Sequence, residues 1–279
     1  MSVLEDCVAG RISPQVAVAR LLLGGADVRA IRGALDASPA HPAVEAMRGL
    51  VARRTAALEG LAAEVAETIA SHDASGPAGI ARIAAFFDRA VRHSPEASVA
   101  LYSLGDPAIL AAATAEILAW LTCQGVLRKG ADVLDLGCGI GRVAAALAPE
   151  CRSVLGLDVS PGMVAEASAR LAGVPNVAVR HTSGADLDGL PPGAFDLVLA
   201  IDSFPYIVQA GAGLRHVLGA ARALRPGGAL AVLNLSYRND PAADLADATA
   251  WAEAAGMRLV LAETHPFRLW DGTAFVLVR

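Results

Sequence analysis

The stretch ADVLDLGCGIGRVAAAL, residues 131–147, decides how the chain folds. It begins with a short apolar run, Val133–Leu136, in which Asp135 is the one acidic residue, and it ends in an alanine-rich segment. The segment GCGIG, residues 137–141, separates the two parts. An apolar run, a glycine-rich turn and an alanine-rich segment predict a strand, a turn and a helix in that order.

A glycine turn between a strand and a helix is typical of a nucleotide-binding site. Glycines let the backbone approach a ligand closely, and the following helix directs free N–H groups and a positive dipole end at the turn. A dinucleotide site has the spacing G-x-G-x-x-G, but Arg142 occupies the third glycine position here and the third glycine comes earlier, at Gly141. The spacing therefore disfavours NAD and FAD.

The segment VLDLGCGIGR, residues 133–142, resembles the first motif of the class I S-adenosylmethionine-dependent methyltransferases. The resemblance implies that Asp135 contacts the amino group of the methionine part of the cofactor. It also implies that Gly137, Cys138 and Gly139 line the amino-acid half of the cofactor.

Composition narrows the class of protein. With 279 residues, 54% of them hydrophobic, the chain is long enough for one large domain or two modest ones. A net charge of −5 provides no basic field, so a nucleic-acid substrate is disfavoured.

The sequence also bears on localisation and on metal binding. The start, MSVLEDCVAG, lacks the features of a signal peptide, and Glu116 interrupts the apolar segment 108–126. We therefore expect a cytoplasmic protein without a membrane span. The four cysteines show no metal-binding spacing, and we expect no metal.

The first third of the chain has helical patterns. Ser13-Pro14 and Asp27 are predicted helix starts, and an apolar stripe of three- and four-residue spacing runs from Val44 to Ile69. The stripe is either a helix-packing seam or a coiled-coil arm for a homodimer. The composition of residues 72–79 predicts a loop.

The predicted division has three parts. Residues 1–93 form a helical domain that serves as a lid, a substrate site or a dimerisation element. Residues 94–130 are connecting helices that cap the cofactor site, and residues 131–279 form the cofactor-binding domain. In methyltransferases with such an extension, the segment ahead of the first strand folds over the cofactor. On that likeness Tyr102 reaches the active site, although it can equally pack with a satisfied hydroxyl.

The second predicted strand, Ser153–Leu157, ends in Asp158, which lies 21 residues beyond Gly137. A carboxylate there can accept hydrogen bonds from both ribose hydroxyls of an adenosine. The stretch DVSPGMV, residues 158–164, is also similar to the second motif of the family, with Met163 placed against the adenine. The alternative is an ordinary aspartate before a helix cap.

The third predicted strand, Val177–Arg180, leads to Gly184-Ala185-Asp186. The family usually carries a short pair of this kind, whose acidic side chain accepts a hydrogen bond from the adenine amino group. Ser183, Ala185 or a backbone N–H are alternatives for contacting the adenine.

The fourth predicted strand, Phe195–Ile201, is a continuous apolar run typical of a strand that is buried on both faces. Residues 202–206, DSFPY, follow at the carboxyl edge, where open α/β sheets bind ligands, and they are the best candidate for acceptor contact. The predicted turn and strand in RALRPGGALAVLN, residues 222–234, also resemble the family.

The last two predicted strands are Leu259–Glu263 and Thr273–Val278. The link between them is too short for a crossover helix, so the final strand should be antiparallel. The fold class is therefore α/β, a Rossmann-like seven-stranded, mostly parallel sheet with one antiparallel strand, preceded by an all-helical region. This is the arrangement of class I methyltransferases.

The resemblance implies a methyltransferase that uses S-adenosyl-L-methionine and releases S-adenosyl-L-homocysteine. The favoured acceptor is a small molecule. The alternatives are a protein or peptide methyltransferase that docks its partner on the N-terminal helices, and a non-catalytic cofactor-binding protein. The cofactor-binding candidates are Asp135, Gly137, Cys138, Gly139, Asp158, Val159, Met163, Gly184, Ala185, Asp186 and Ile201.

The sulfonium is already an activated methyl donor, so the protein has to align donor and acceptor. It needs a general base only if the acceptor carries a proton at working pH. The catalytic candidates are Asp202, Tyr206 and Tyr102, and His93 and His265 are weaker ones.

Overall fold

The computed structural model describes residues 2–60 and 76–279 of the chain, which fold as two units. The described part of the helical unit consists of residues 2–60, 90–116 and 267–271. The described part of the sheet unit consists of residues 76–89, 117–266 and 272–279. The three-part division expected from the sequence stays a prediction.

The helical unit is built from short capped helices. The predicted starts at Ser13 and Asp27 are confirmed, since each side chain accepts a hydrogen bond from a backbone N–H of the first helical turn. The helices are α1 (Val3–Val8), α2 (Pro14–Leu23), α3 (Val28–Asp36) and α4 (Pro42–Arg53), followed by the last residues of α5 (Gly76–His93), by α6 (Pro95–Val99) and by the first part of α7 (Pro107–Cys123).

Helix α1 was not predicted, although its sequence carries a local sign. The Ser2 hydroxyl accepts a hydrogen bond from the Glu5 N–H, and the Glu5 carboxylate accepts one from the Ser2 N–H, at 3.2 and 2.7 Å. This is the reciprocal pattern of a capping box, which the spacing S-x-x-E indicates.

The stripe predicted to run from Val44 to Ile69 lies on two helical segments. Helix α4 ends at a turn on Arg54, and residues 55–60 are again helical. The Arg54 guanidinium donates to the carbonyl of Leu104 and to the Asp106 carboxylate. Stripe residues up to Leu58 are at most 2% exposed, so that part forms a packing seam. Leu61, Val65 and Ile69 lie outside the described residues.

The sheet unit contains a seven-stranded sheet of order β3-β2-β1-β4-β5-β7-β6. Strand β7 pairs antiparallel with both of its neighbours and the other pairings are parallel, which confirms the predicted fold class. The strands are β1 (Asp132–Leu136), β2 (Ser153–Asp158), β3 (Val177–His181), β4 (Phe195–Ile201), β5 (Leu224–Leu233), β6 (Arg258–Glu263) and β7 (Ala274–Val278).

Helices connect the strands of the sheet unit. The central strand β1 is buried along its whole length, as a strand covered on both faces must be. The connecting helices are α8 (Arg142–Leu147), α9 (Pro161–Arg170), α10 (Phe204–Gln209), α11 (Gly213–Ala223) and α12 (Pro241–Ala254), together with residues 76–89 of α5 and the end of α7.

Two local predictions were wrong. Residues 76–79 open helix α5 instead of lying in a loop, because Pro77 falls in the first helical turn, where proline is tolerated. Residues 72–75 of the predicted loop lie outside the described residues. The Pro-Gly-Gly of residues 226–228 lies inside β5, and the pairing with β4 shifts between Phe195 and Leu197 to accommodate it. A register shift of this kind absorbs a proline and glycines without ending the strand.

None of the described helices has the length and apolar character needed to cross a membrane.

Candidate functional site

The glycine turn is fastened to β2 and to the segment after β4. The N–H groups of Gly137 and Cys138 both donate to the carbonyl of Leu157, at 2.7 and 3.0 Å. Gly137 has a φ of 75°, and a Cβ there would lie 2.3 Å from the Cβ of Ser203. Only glycine fits this position, so the turn and the segment after β4 are held in direct contact.

The third glycine of the turn has a packing role. A Cβ on Gly141, whose φ is 74°, would lie 2.8 Å from Leu171 and 3.2 Å from Ala167, which belong to α9 and the residue after it. The absence of a side chain at Gly141 therefore lets α8 and α9 pack closely. This is the glycine whose early position in the sequence disfavoured a dinucleotide.

Asp135 is the most unusual group of the turn. It is 2% exposed, and its Oδ2 has no hydrogen-bond partner among the described residues. Burial raises the pKa of this carboxyl to about 7, with Arg142 lowering it and Asp158 raising it further. A buried carboxylate oxygen without a partner is costly unless a ligand donates to it.

Asp158 joins the glycine turn to helix α9. Its Oδ2 accepts a hydrogen bond from the Gly139 N–H and its Oδ1 accepts one from the Ser160 N–H, both at 2.9 Å. Burial raises its pKa, against the lowering effect of these N–H donors. Each oxygen has a second lone pair, so the carboxylate can still accept from ligand hydroxyls.

Val159 and Gly184 are packed together at the end of β2. A Cβ on Gly184 would lie 2.5 Å from Val159 Cγ1 and 3.1 Å from Ile80 Cγ2 of helix α5. Met163 is 1% exposed at the start of α9. The other adenine candidates follow Gly184 directly, and the Asp186 carboxylate accepts a hydrogen bond from the Asp188 N–H at 3.1 Å.

Helix α5 supplies a site residue that sequence reasoning missed. The Asp88 carboxylate accepts hydrogen bonds from the Ser160 hydroxyl at 2.6 Å and from the Gly162 N–H at 2.7 Å. The Ser160 hydroxyl in turn accepts from the Met163 N–H at 3.1 Å. No motif indicates Asp88, because its partners lie more than seventy positions away in the chain.

At the ends of β4 and β5, Asp202 lies at the centre of a polar cluster. Its Oδ1 accepts hydrogen bonds from the Asn234 amide and from the Tyr237 hydroxyl, both at 2.9 Å. Asp202 and Asn234 have φ angles of 55° and 74°, in the left-handed region. Strained backbone of this kind concentrates at functional sites. The cluster was predicted only in part, since Tyr237 was not a candidate.

Tyr206 joins the same cluster. Its ring meets the Tyr237 ring edge to face, with the ring centroids 5.4 Å apart. On its other side it meets the Phe87 ring of α5 at 5.2 Å. Burial, and then the charge of Asp202, raises the pKa of Tyr206, so its hydroxyl keeps its proton at neutral pH.

Three candidates lie apart from this cluster in the chain. Tyr102 belongs to the helical unit, is 6% exposed and lies 6.1 Å from the Trp270 ring, centroid to centroid. His93 belongs to the helical unit as well, and His265 follows β6 with a φ of 58°. The roles expected of these residues stay predictions.

Comparisons with known proteins find similarity to methyltransferases. Residues 133–228 match a family model described as a methyltransferase domain. The trans-aconitate 2-methyltransferase of Methylobacterium nodulans is 41% identical over 109 residues, which cover 38% of this chain and 39% of that protein. A demethylmenaquinone methyltransferase of Clavibacter sepedonicus is 30% identical over 155 residues, which cover 56% and 58%. The chain thus spans less than two thirds of the length of each of these relatives.

A solved structure shows the same fold. It is phosphoethanolamine N-methyltransferase 1 of Haemonchus contortus, in complex with phosphoethanolamine and S-adenosylhomocysteine. The likeness has a TM-score of 0.56 at 17% identity and covers 74% of this chain and 50% of that one.

Proposed function

Because residues 133–228 match a methyltransferase domain, we propose that the chain transfers the methyl group of S-adenosylmethionine to a small molecule. The observation that carries the proposal is the buried Oδ2 of Asp135, which has no hydrogen-bond partner among the described residues. An ammonium group bound there would donate to this oxygen and favour the charged carboxylate. The methionine end of the cofactor has such a group.

The residues around the glycine turn support the binding of the remaining parts of the cofactor. The backbone of Gly137, Cys138 and Gly139 would hold the amino-acid half. Asp158 would accept hydrogen bonds from the ribose hydroxyls, because its two oxygens keep acceptor capacity beyond their backbone donors. When bound, the cofactor supplies a methyl group on a sulfonium, which is already activated for transfer.

The adenine would lie among the residues after β2 and β3. Val159, Met163 and Gly184 offer apolar contact, and Ala185 or Asp186 would accept from the adenine amino group. Ile201, at the end of β4, would contact the cofactor from the neighbouring strand.

The polar cluster would serve the acceptor. Asp202 is the proposed proton acceptor, and Asn234 and Tyr237 orient its carboxylate through the hydrogen bonds to Oδ1. Tyr206 is better suited to donate a hydrogen bond than to take a proton, because its raised pKa keeps the hydroxyl protonated at neutral pH.

A small acceptor is favoured by the relatives. Two of those that match act by name on trans-aconitate and on demethylmenaquinone, which are both small molecules. The roles of the helical unit as a lid or as a dimerisation element, and of Tyr102 at the site, remain part of this proposal.

The proposal is tested by calorimetry with S-adenosylhomocysteine, followed by labelling. We expect one binding site in the wild-type protein and a large loss of affinity in Asp158→Ala. Incubation with methyl-labelled S-adenosylmethionine and the small-molecule fraction of a cell lysate should then transfer label into that fraction. Folded protein that gives no binding heat would refute the proposal.

A further inference from the structure

The polar cluster is centred on a negative charge. The Asn234 amide and the Tyr237 hydroxyl both donate to Asp202 Oδ1, at 2.9 Å each. Both donors are neutral, so neither cancels the charge of the carboxylate.

A series of aromatic rings adjoins this cluster. The rings of Phe87, Tyr206 and Tyr237 follow one another edge to face, with interplanar angles of 83° and 80°. Phe86 extends the series, since its ring lies 5.1 Å from that of Phe87. Aromatic faces attract planar and cationic groups, and they offer nothing to an anion.

The positive charge that follows Tyr237 is already balanced. The Arg238 guanidinium donates to Asp244 and to Asp247, each at 2.7 Å. Its Nε and Nη2 are thus held by two carboxylates. An anionic acceptor beside Asp202 would be repelled by the carboxylate. Arg238 would not offset this repulsion, because its charge is already paired with two carboxylates.

The cluster also lies where an acceptor is needed. Gly137 of the turn and Ser203, the residue after Asp202, are in direct contact, and the Ser203 hydroxyl donates to the Leu136 carbonyl at 2.5 Å. A molecule bound at Asp202 is therefore next to the turn that holds the methionine end of the cofactor.

We infer that the acceptor is a planar or cationic molecule whose reacting oxygen or nitrogen carries hydrogen, a phenol or an amine, and not a carboxylate. This inference rests on the proposed function. A lone pair of the acceptor atom forms the bond to the methyl carbon, and the carbon–sulfur bond breaks with its electron pair left on sulfur. The proton that the acceptor loses passes to the Asp202 carboxylate and from there to water. A carboxylate acceptor has no proton to lose and gains nothing from this arrangement.

A pair of matched probes tests the charge preference. Tyramine and 3-(4-hydroxyphenyl)propanoate share a phenol and a two-carbon arm, and they differ in an ammonium against a carboxylate. Calorimetry is run on full-length protein with and without saturating S-adenosylhomocysteine. We expect tyramine to bind at least about tenfold more tightly, and we expect Asp202→Asn to reduce that ratio toward one.

A control variant separates local from general charge effects. Asp36→Asn removes the same charge from a side chain that is 79% exposed in the helical unit, and it should keep the wild-type ratio. Equal affinities, tighter binding of the propanoate, binding of neither probe, or an unchanged ratio in Asp202→Asn would each overturn the inference.

The labelled product gives a second measurement. Methyl ethers and N-methyl groups survive mild alkali, whereas methyl esters are hydrolysed and release labelled methanol. We expect alkali-stable label, and release as methanol would contradict the inference while leaving the methyltransferase activity intact. Failure of S-adenosylhomocysteine to bind would instead count against the proposed function. In that case the ratio of the two probe affinities, measured without S-adenosylhomocysteine, still tests the charge preference.

Discussion

The Asp88 carboxylate and the Ser160 hydroxyl, 72 positions apart in the chain, are joined by a hydrogen bond of 2.6 Å. Asp88 also accepts from the Gly162 N–H, so helix α5 provides a second cap for the first turn of α9. The residue before Asp88 packs on Tyr206. Adjacent positions of one helix therefore contact the proposed ribose side and the proposed acceptor side of the site.

Replacing Asp88 should weaken both folding and cofactor binding. Asp88→Ala leaves the Gly162 N–H and the buried Ser160 hydroxyl without this acceptor, and we expect a loss of about 1 kcal/mol in the free energy of unfolding. Denaturant titration and calorimetry with S-adenosylhomocysteine measure the two effects. Arg82→Ala, at an exposed position of the same helix, should change neither. Wild-type affinity in Asp88→Ala would show that the cap does not support the cofactor site.

Asp135 should make cofactor binding depend on pH. Its pKa of about 7 lies above the unfolded value of 3.8, so ionising the buried carboxyl opposes folding. The free energy of unfolding should therefore fall as the pH rises from about 4 to 7. An ammonium ligand requires the ionised form, so affinity for S-adenosylhomocysteine should rise between pH 5 and 8. Binding below pH 7 should release a proton, which calorimetry in buffers of different ionisation heat detects.

The Asp135→Asn variant tests the same residue by replacing its ionisable carboxyl with an amide. The amide cannot ionise, so the variant should gain stability over the wild type as pH rises from 4 to 7, on the order of a few kcal/mol at most. Its affinity for S-adenosylhomocysteine should fall and lose the pH dependence described above. A variant that binds as tightly as the wild type at pH 8 would contradict the assigned role.

Gly137 should not tolerate a side chain. Gly137→Ala adds a Cβ at 2.3 Å from that of Ser203 on a residue with positive φ, and we expect a loss of about 2 kcal/mol or more in unfolding free energy. Gly130→Ala is the matched control, because Gly130 has a φ of 74° but no atom within 4 Å of its Cβ position. Its loss should be smaller, and the double variant Gly137→Ala/Ser203→Gly should recover part of the difference. Equal losses at the two glycines would mean that the contact with Ser203 is not constraining.

Tyr237→Phe should slow methyl transfer without changing cofactor affinity. It removes the hydroxyl that donates to Asp202, while the edge-to-face ring contact with Tyr206 stays. We expect kcat to fall by about tenfold, because a carboxylate that loses one of its orienting donors is held less firmly. Steady-state rates and S-adenosylhomocysteine calorimetry separate the two quantities. A fall in affinity with unchanged kcat would assign Tyr237 to the cofactor instead.

The sequence by itself determined the fold of the sheet unit. The strand, glycine turn and helix of residues 131–147, the buried run of β4 and the short link before β7 predicted the observed sheet. The resemblance to methyltransferases is confirmed for residues 133–228, which match a methyltransferase domain. Such features are local: a period of two or 3.6 residues, a glycine at a positive φ and a serine or aspartate before a helix each act within a few residues.

Tertiary structure alone decided how the site is completed. Asp88 reaches Ser160 across 72 positions, and Asn234 and Tyr237 reach Asp202 across 32 and 35. No spacing rule connects such residues, because their distance in space depends on how separate helices and strands pack. The same holds for the Asp135 Oδ2 atom, which has no hydrogen-bond partner in the part of the chain that the structure describes. Its residue type and position were predictable, but its burial, and hence its raised pKa, follow from the elements that close around it.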